Sequence, residues 1–201
     1  MSCTRIMRAG LLVLALAAGM TAGCARSAPT RFYTLCPAAT GDLEPAGAGP
    51  VVVVAPVRVA AYLDHSQIVS RLDGGAVHLA ELDRWAEPLD DGIRRVLVEN
   101  LSRLLPSERV SENRSGGARV PHWRVSVSVS RLERVQDQVI LTARWFVMRD
   151  AQDGSIAERL STVTVDVGDR EVASMVSAQS RALAELSKEI ADAIRAASAG
   201  Q

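Results

Sequence analysis

The sequence predicts an α+β domain, an antiparallel or mixed sheet with two long helices packed on one face. Three observations carry this. Strand-like and helical segments follow one another as strands, helix, strands, helix. The stretch from Trp123 to Val167 reads as a meander of long strands. Both helical segments carry an apolar stripe, so each has one face to bury.

The elements follow in order. Residues 31–35 (Arg-Phe-Tyr-Thr-Leu) are rich in β-formers and make a short first strand. Residues 37–50 form an Ala/Gly/Pro stretch with Asp42 and Glu44, expected to be a mobile loop. The four valines at 51–54, bounded by Pro50 and Pro56, mark a strand buried on both faces. Residues 67–72 and 76–79 flank Asp73-Gly74-Gly75, a hairpin turn in which glycine tolerates positive φ.

The first helix opens at Pro88, with Asp90 and Asp91 near the positive end of its dipole. Leu89, Ile93, Val96, Leu97, Leu101 and Leu104 share one face, and Pro106 stops the helix. Asp90–Arg94, Asp91–Arg95 and Glu99–Arg103 are spaced i, i+4 and are expected as solvated support on the outer face. After a loop at 111–118, Trp123, Val125, Val127 and Val129 alternate with polar residues as a half-buried strand. Residues 139–148 are largely apolar on both registers and read as a central strand; the turn at 150–154 leads into a strand over 156–167. The closing helix carries Val172, Val176, Leu183, Leu186, Ile190 and Ile194 on one stripe, interrupted by Gln179. Arg181, Glu185, Lys188, Asp192 and Arg195 lie opposite.

The N-terminus fixes place. Arg5 and Arg8 precede an apolar run at residues 11–20, too short to span a bilayer core of about 30 Å as a helix. Thr21-Ala22-Gly23-Cys24 then presents small residues before a cysteine. Residues 1–23 therefore read as a lipoprotein signal peptide, Cys24 as the acylated (palmitate-bearing) first residue, and 24–31 as a tether. Residues 32–196 form the domain. An ordinary secretory signal with a chance cysteine is the other reading. Ala25, where aspartate would favour retention at the inner membrane, points to the outer membrane, periplasmic face. Cys3 leaves with the signal and Cys24 is blocked, so Cys36 has no internal partner for a disulfide.

Composition excludes several classes. Without Arg5 and Arg8 the mature chain holds 21 basic against 23 acidic residues, which argues against nucleic acid as a partner. There is no Gly-x-Ser-x-Gly elbow, His-Glu-x-x-His, Cys-x-x-Cys or phosphate-cradling glycine loop. His65, His78 and His122 lie in separate segments without metal-ligand spacing. Asp90 and Asp91 point about 100° apart on a helix and are poorly placed as an acid/base pair. No catalytic residue, metal or cofactor is assigned. Trp123 and Trp145 fit sheet packing; Trp85 either staples the chain entering the first helix or contacts a partner.

Several segments in order carry a family resemblance. The Cys24 lipobox is followed by Phe32-Tyr33-Thr34-Leu35, then by Val52-Val53-Val54-Ala55-Pro56-Val57 leading to Tyr62-Leu63-Asp64. Gln67-Ile68-Val69 comes next, then Arg84-Trp85-Ala86-Glu87-Pro88-Leu89 continuing through Val98-Glu99-Asn100-Leu101. The chain from Phe32 to about Ile194 resembles the ABC-type transport auxiliary lipoproteins. The resemblance marks Tyr33, Thr34, Leu35, Trp85 and Pro88 as family-motif positions with a structural or partner-contact role. It implies a non-enzymatic accessory subunit of an MCE-type, Pqi-like intermembrane lipid transport system. Its partner would be an MCE-domain protein spanning the periplasm, met by a homo-oligomeric ring of the lipoprotein. A structural envelope lipoprotein and a periplasmic lipid-binding carrier are the alternatives. An apolar cavity between sheet and helices would mark the carrier. A filled core with an exposed apolar rim near Trp85 would mark the docking subunit.

Overall fold

The computed structural model describes residues 28–40, 49–105, 107, 109–112, 123–149 and 155–199. The expectations for the signal peptide, Cys24, Pro106, His122, the 150–154 turn and most of the 41–50 and 111–118 loops lie outside these residues. In chain order come β1 (Arg31–Tyr33), β2 (Val52–Val54), β3 (Arg58–Val59), β4 (Gln67–Arg71), β5 (Val77–Trp85) and α1 (Leu89–Leu104). They are followed by β6 (Val110–Ser111), β7 (Trp123–Val135), β8 (Gln138–Arg149), β9 (Ser155–Asp166) and α2 (Val172–Ala199).

The α+β expectation holds, with one mixed sheet. β7, β8 and β9 form the antiparallel meander. The other edge of β7 is shared end to end by β2, β3 and β4, all parallel to it. β4 and β5 form the hairpin, turning through Asp73–Gly75 with Gly74 at φ 75° and Gly75 at φ 86°, a conformation that suits glycine. β1 adds to β5 in parallel, and β6 to β2. The first strand stops at Tyr33, because Thr34 and Leu35 leave the sheet to cross the helices.

Both helices cover the same face. α2 packs on β8 and β9, and α1 lies beside it over β2, β3 and β6. A 28-residue helix is about 42 Å long, which matches strands of 12 and 13 residues at about 3.3 Å each. The long helix therefore covers the meander along its length. Ile93, Val96, Leu97 and Leu101 meet Leu183, Leu186, Ile190 and Ile194 in one core, and all are fully buried. Among the described residues no helix is long and apolar enough to cross a membrane.

β8 is the central strand the sequence predicts, paired on both edges, with Val139, Leu141, Ala143, Trp145 and Val147 buried. Ile140, Phe146 and Met148 lie half-buried on the face that carries no helix. Two other expectations are corrected by packing. The i, i+4 pairs expected on α1 give way to longer reaches. Arg94 donates to the carbonyl of Val54 at 2.9 Å, Arg95 to Glu87 at 2.6 Å and Arg103 to the carbonyl of Ala39 at 3.5 Å. Arg94 and Arg103 thus reach fixed carbonyls, whereas Arg95 reaches a carboxylate before the helix and also pairs with Glu99 one turn on. Residues 37–40, expected as part of a mobile loop, pack on the helices, with Ala39 buried.

Gln179 does not break its helix. A bulge between Val129 and Arg131 shifts the alternation of β7, and Gln179 donates its Nε2 to the carbonyl of Leu132 at 3.1 Å. The hydrogen bond satisfies the Nε2 side of the amide, while Oε1 is buried without a hydrogen-bond partner. At the other end of the interface, Trp145 donates to Ser161 Oγ at 2.9 Å, and Ser161 donates in turn to Glu189.

The core assignment is testable. Leu186→Ala or Ile190→Ala lowers stability by about 2–5 kcal/mol, because each leaves a cavity at the helix–sheet interface. Arg181→Ala and Asp192→Ala, on the exposed face, stay within about 0.5 kcal/mol. Equal melting shifts for the two pairs contradict the assigned face.

Candidate functional site

The motif positions expected from sequence gather where β1, β5 and α1 meet. Register places Tyr33 opposite Trp85, and Ala86 N–H donates to the Tyr33 carbonyl at 2.9 Å. Pro88 is the N-cap of α1, one residue earlier than a first-turn proline, and its carbonyl accepts from Gly92 N–H at 3.0 Å. Leu35 is buried and Thr34 is exposed. Trp85 is 7 % exposed and belongs to the core, which fits a staple and leaves little of its surface for a partner.

Charged groups lock this junction. Arg31 pairs with Asp83 through two hydrogen bonds, 2.7 and 3.0 Å, and the Tyr33 hydroxyl donates to the same carboxylate at 3.1 Å. The Arg31 hydrogen bond outweighs burial and holds Asp83 below the usual carboxylate range; burial and the Asp83 hydrogen bond push Tyr33 up. One turn into α1, Arg95 joins Glu87, Glu99 and the carbonyl of Leu35. Gly92 leaves room for this, since a Cβ there would lie 3.2 Å from Glu87 Oε1.

The chain after β1 is then fastened across both helices. Asn100, fully buried, accepts from Ala38 N–H at 3.2 Å and Ala39 N–H at 3.1 Å, and donates to Ser187 Oγ on α2 at 3.3 Å. Cys36 N–H donates to Ser180 Oγ at 3.1 Å, and the Cys36 thiol is free and exposed. The sequence reading missed Asn100, Ser180 and Ser187, although polar residues set among the apolar residues of paired helices were the available signal.

A second buried carboxylate lies on the open face of the sheet. Glu133 pairs with Arg71 at 2.6 Å and Arg131 at 3.2 Å, while Arg71 also lies over the Tyr62 ring at 5.2 Å. Burial pushes Glu133 up, but hydrogen bonds led by Arg71 outweigh it and hold the carboxylate below its usual range. Beyond it, between the β4–β5 hairpin and the start of α2, lies an open cleft of about 480 Å³. Ile68, Ala80, Val172 and Met175 line it together with Arg134 and Arg170.

These groups suit fixing rather than proton transfer. Asp83 and Glu133 are held ionised in ion pairs, the opposite of a general base poised near neutrality. Among the described residues no cluster of His, Cys, Asp and Glu could hold a metal ion. His65 and His78 are exposed and lie on different segments.

Comparison with known proteins identifies relatives. The model of a family described as "ABC-type transport auxiliary lipoprotein component" matches residues 33–191. The intermembrane transport lipoprotein PqiC of Escherichia coli (strain K12) is 28% identical over 182 residues, which cover 89% of this chain and 96% of PqiC; PqiC of Shigella flexneri matches equally. The crystal structure of an uncharacterized protein superposes with a TM-score of 0.68 at 22% identity, covering 83% of this chain and 99% of the other. A protein from Xanthomonas campestris superposes with a TM-score of 0.62 at 17% identity, covering 80% and 92%. Both share the fold.

The two carboxylates set an acid limit. A carboxylate whose folded pKa is depressed contributes stability above its unfolded value, here about 3.8 for Asp83 and 4.5 for Glu133, and loses it as pH falls through the folded value. The melting temperature should be flat near neutrality and fall below about pH 4.5. Glu133→Gln should melt lower at pH 7 and show a shallower acid slope. An unchanged slope contradicts the pairing.

Proposed function

The chain belongs to the ABC-type transport auxiliary lipoprotein family, and on that premise we propose that it is an outer-membrane-anchored, periplasm-facing accessory subunit of an MCE-type, Pqi-like intermembrane lipid transport system. The observation that carries this reading is the match to intermembrane transport lipoprotein PqiC along 96% of that protein's length, so no separate domain of PqiC is left unmatched. Cys24 carries the acyl chains, and residues 24–31 tether the domain to the membrane. The protein acts by binding, without catalysis, and supports membrane integrity by holding an MCE-domain protein at the outer membrane. Several copies closing into a ring would present repeated binding surfaces to a ring-shaped partner, gaining from effective concentration and closed symmetry.

The filled core supports docking over a lipid carrier. Trp145, Leu141, Leu183, Leu186 and Ile190 are fully buried between sheet and helices, and the cleft beside the β4–β5 hairpin is open and carries Arg31, Asp83, Arg134 and Arg170, which suits an acyl chain poorly. Phe32 on β1 and Leu82 on β5 are exposed near Trp85.

Crosslinking in the native envelope followed by affinity capture tests the partnership. An MCE-domain protein should be recovered, and a deletion strain should lose detergent resistance. Recovery of no such protein, with normal resistance in the deletion strain, overturns the transport role and leaves a structural envelope lipoprotein.

A further inference from the structure

The sheet carries helices on one face only, and the other face has a composition of its own. Register sorts the residues that share it. One row across β7, β8 and β9 is Ser126–Phe146–Glu158, and the next is Ser128–Arg144–Leu160. β3 adds Arg58 beside Ser128, and Arg124 lies further along β7, opposite Met148. The intervening Val125, Val127, Ala143, Trp145 and Val147 are buried in the core, so these rows point away from the helices.

The exposed charge on this patch is positive. Arg144 pairs with Glu158 at 3.0 Å, while Arg58 and Arg124 have no ion-pair partner among the described residues. Three arginines less one glutamate leave two positive charges, on a sequence whose 23 basic and 23 acidic residues balance. The other carboxylates of the face lie toward its far end and are engaged, Glu133 by Arg71 and Arg131, and Asp166 by Gln138. An unpaired guanidinium presents a planar fork that matches a carboxylate.

Size and composition say what kind of partner fits. Four ranks of strand at about 4.8 Å, each about 12 residues long at about 3.3 Å, make a face of roughly 19 by 40 Å, or about 760 Å². A standard protein–protein interface buries about 800 Å² on each partner, and arginine, methionine and aromatic residues are enriched in such interfaces. A lipid surface calls instead for large apolar side chains that project. Here Phe146 and Met148 are half-buried among hydroxyl side chains, and Leu160 is the one of the three that stands out, 60 % exposed.

We propose that the open face over β3 and β7–β9 binds an acidic surface of a partner protein. Arg58, Arg124 and Arg144 meet its carboxylates, and Phe146, Met148 and Leu160 pack between them. The proposal rests on the docking role given above and adds to it the surface that docks and the chemistry of what it meets.

Photocrosslinking in the native envelope tests this with the full chain. Benzoylphenylalanine is placed at position 128 or 162 on the open face, or at position 181 on the outer face of α2, all three exposed. Positions 128 and 162 should capture an MCE-domain protein through a peptide rich in aspartate and glutamate, and position 181 should not. Arg58→Glu with Arg124→Glu should cut the yield by about tenfold or more, because like charges then face each other, and Arg58→Lys with Arg124→Lys should keep it. Neither arginine has a partner to lose, so both double variants should melt with the parent. Capture from position 181 alone overturns the proposal and leaves the transport reading intact. Capture of phospholipid or of a second copy from 128 and 162, or a yield that charge reversal leaves unchanged, also overturns it. A different envelope protein captured from 128 and 162 through an acidic peptide, with the same loss on charge reversal, upholds the surface and overturns the transport reading. No protein captured from any position overturns both.

Discussion

Asn100 is the side chain on which three parts of the molecule depend. It sits in α1 with no exposed surface, accepts the amide hydrogens of Ala38 and Ala39, and donates to Ser187 of α2. Buried amides are costly unless hydrogen-bonded, and losing one partner leaves the others unsatisfied. The group thus fixes the spacing of the helix pair and the path of the chain over it. Cys36 N–H on Ser180 and the Leu35 carbonyl on Arg95 add two more points along the same segment.

The consequence bears on the proposed membrane anchor. A tether that entered a loose loop would leave the domain free to tumble on its anchor. Here residues 31–40 are held by β1 pairing, by the Arg31–Asp83–Tyr33 cluster and by the helix pair in turn. On the proposed anchor at Cys24, the tether would enter a rigid body from one side, and its position would limit which surfaces face lipid and which face the periplasm. The proposed docking role would benefit from that restriction, because binding costs less when the surface is already oriented.

Much of the fold was legible because it rests on burial. The valines at 52–54, the alternation from Trp123 to Val129 and the stripes of both helices sort themselves by exposure to water, and all lie where the pattern put them. The strand at 139–148 is central as expected, and its half-buried Ile140, Phe146 and Met148 lie on the face that carries no helix. Ion pairs were misread. Helical spacing brings Asp90 and Arg94 together, but only tertiary structure shows that the carbonyl of Val54 is within reach. Of the motif positions, Tyr33, Leu35, Trp85 and Pro88 come together through pairing between β1 and β5, a contact across some fifty residues that no local pattern encodes. Asp83 and Glu133 were overlooked because a carboxylate in a strand reads as solvated until its arginine partner is placed.

Native-state hydrogen exchange at Cys36, Ala38 and Ala39 is the most direct measurement. If the segment after β1 is part of the core, these amides open only with the whole domain, at the same free energy as amides in the middle of β7 and β8. Exchange at a much lower free energy, with β7 and β8 still protected, would show that the segment after β1 is a loose strap, and a tether entering it would leave the orientation of the domain unfixed.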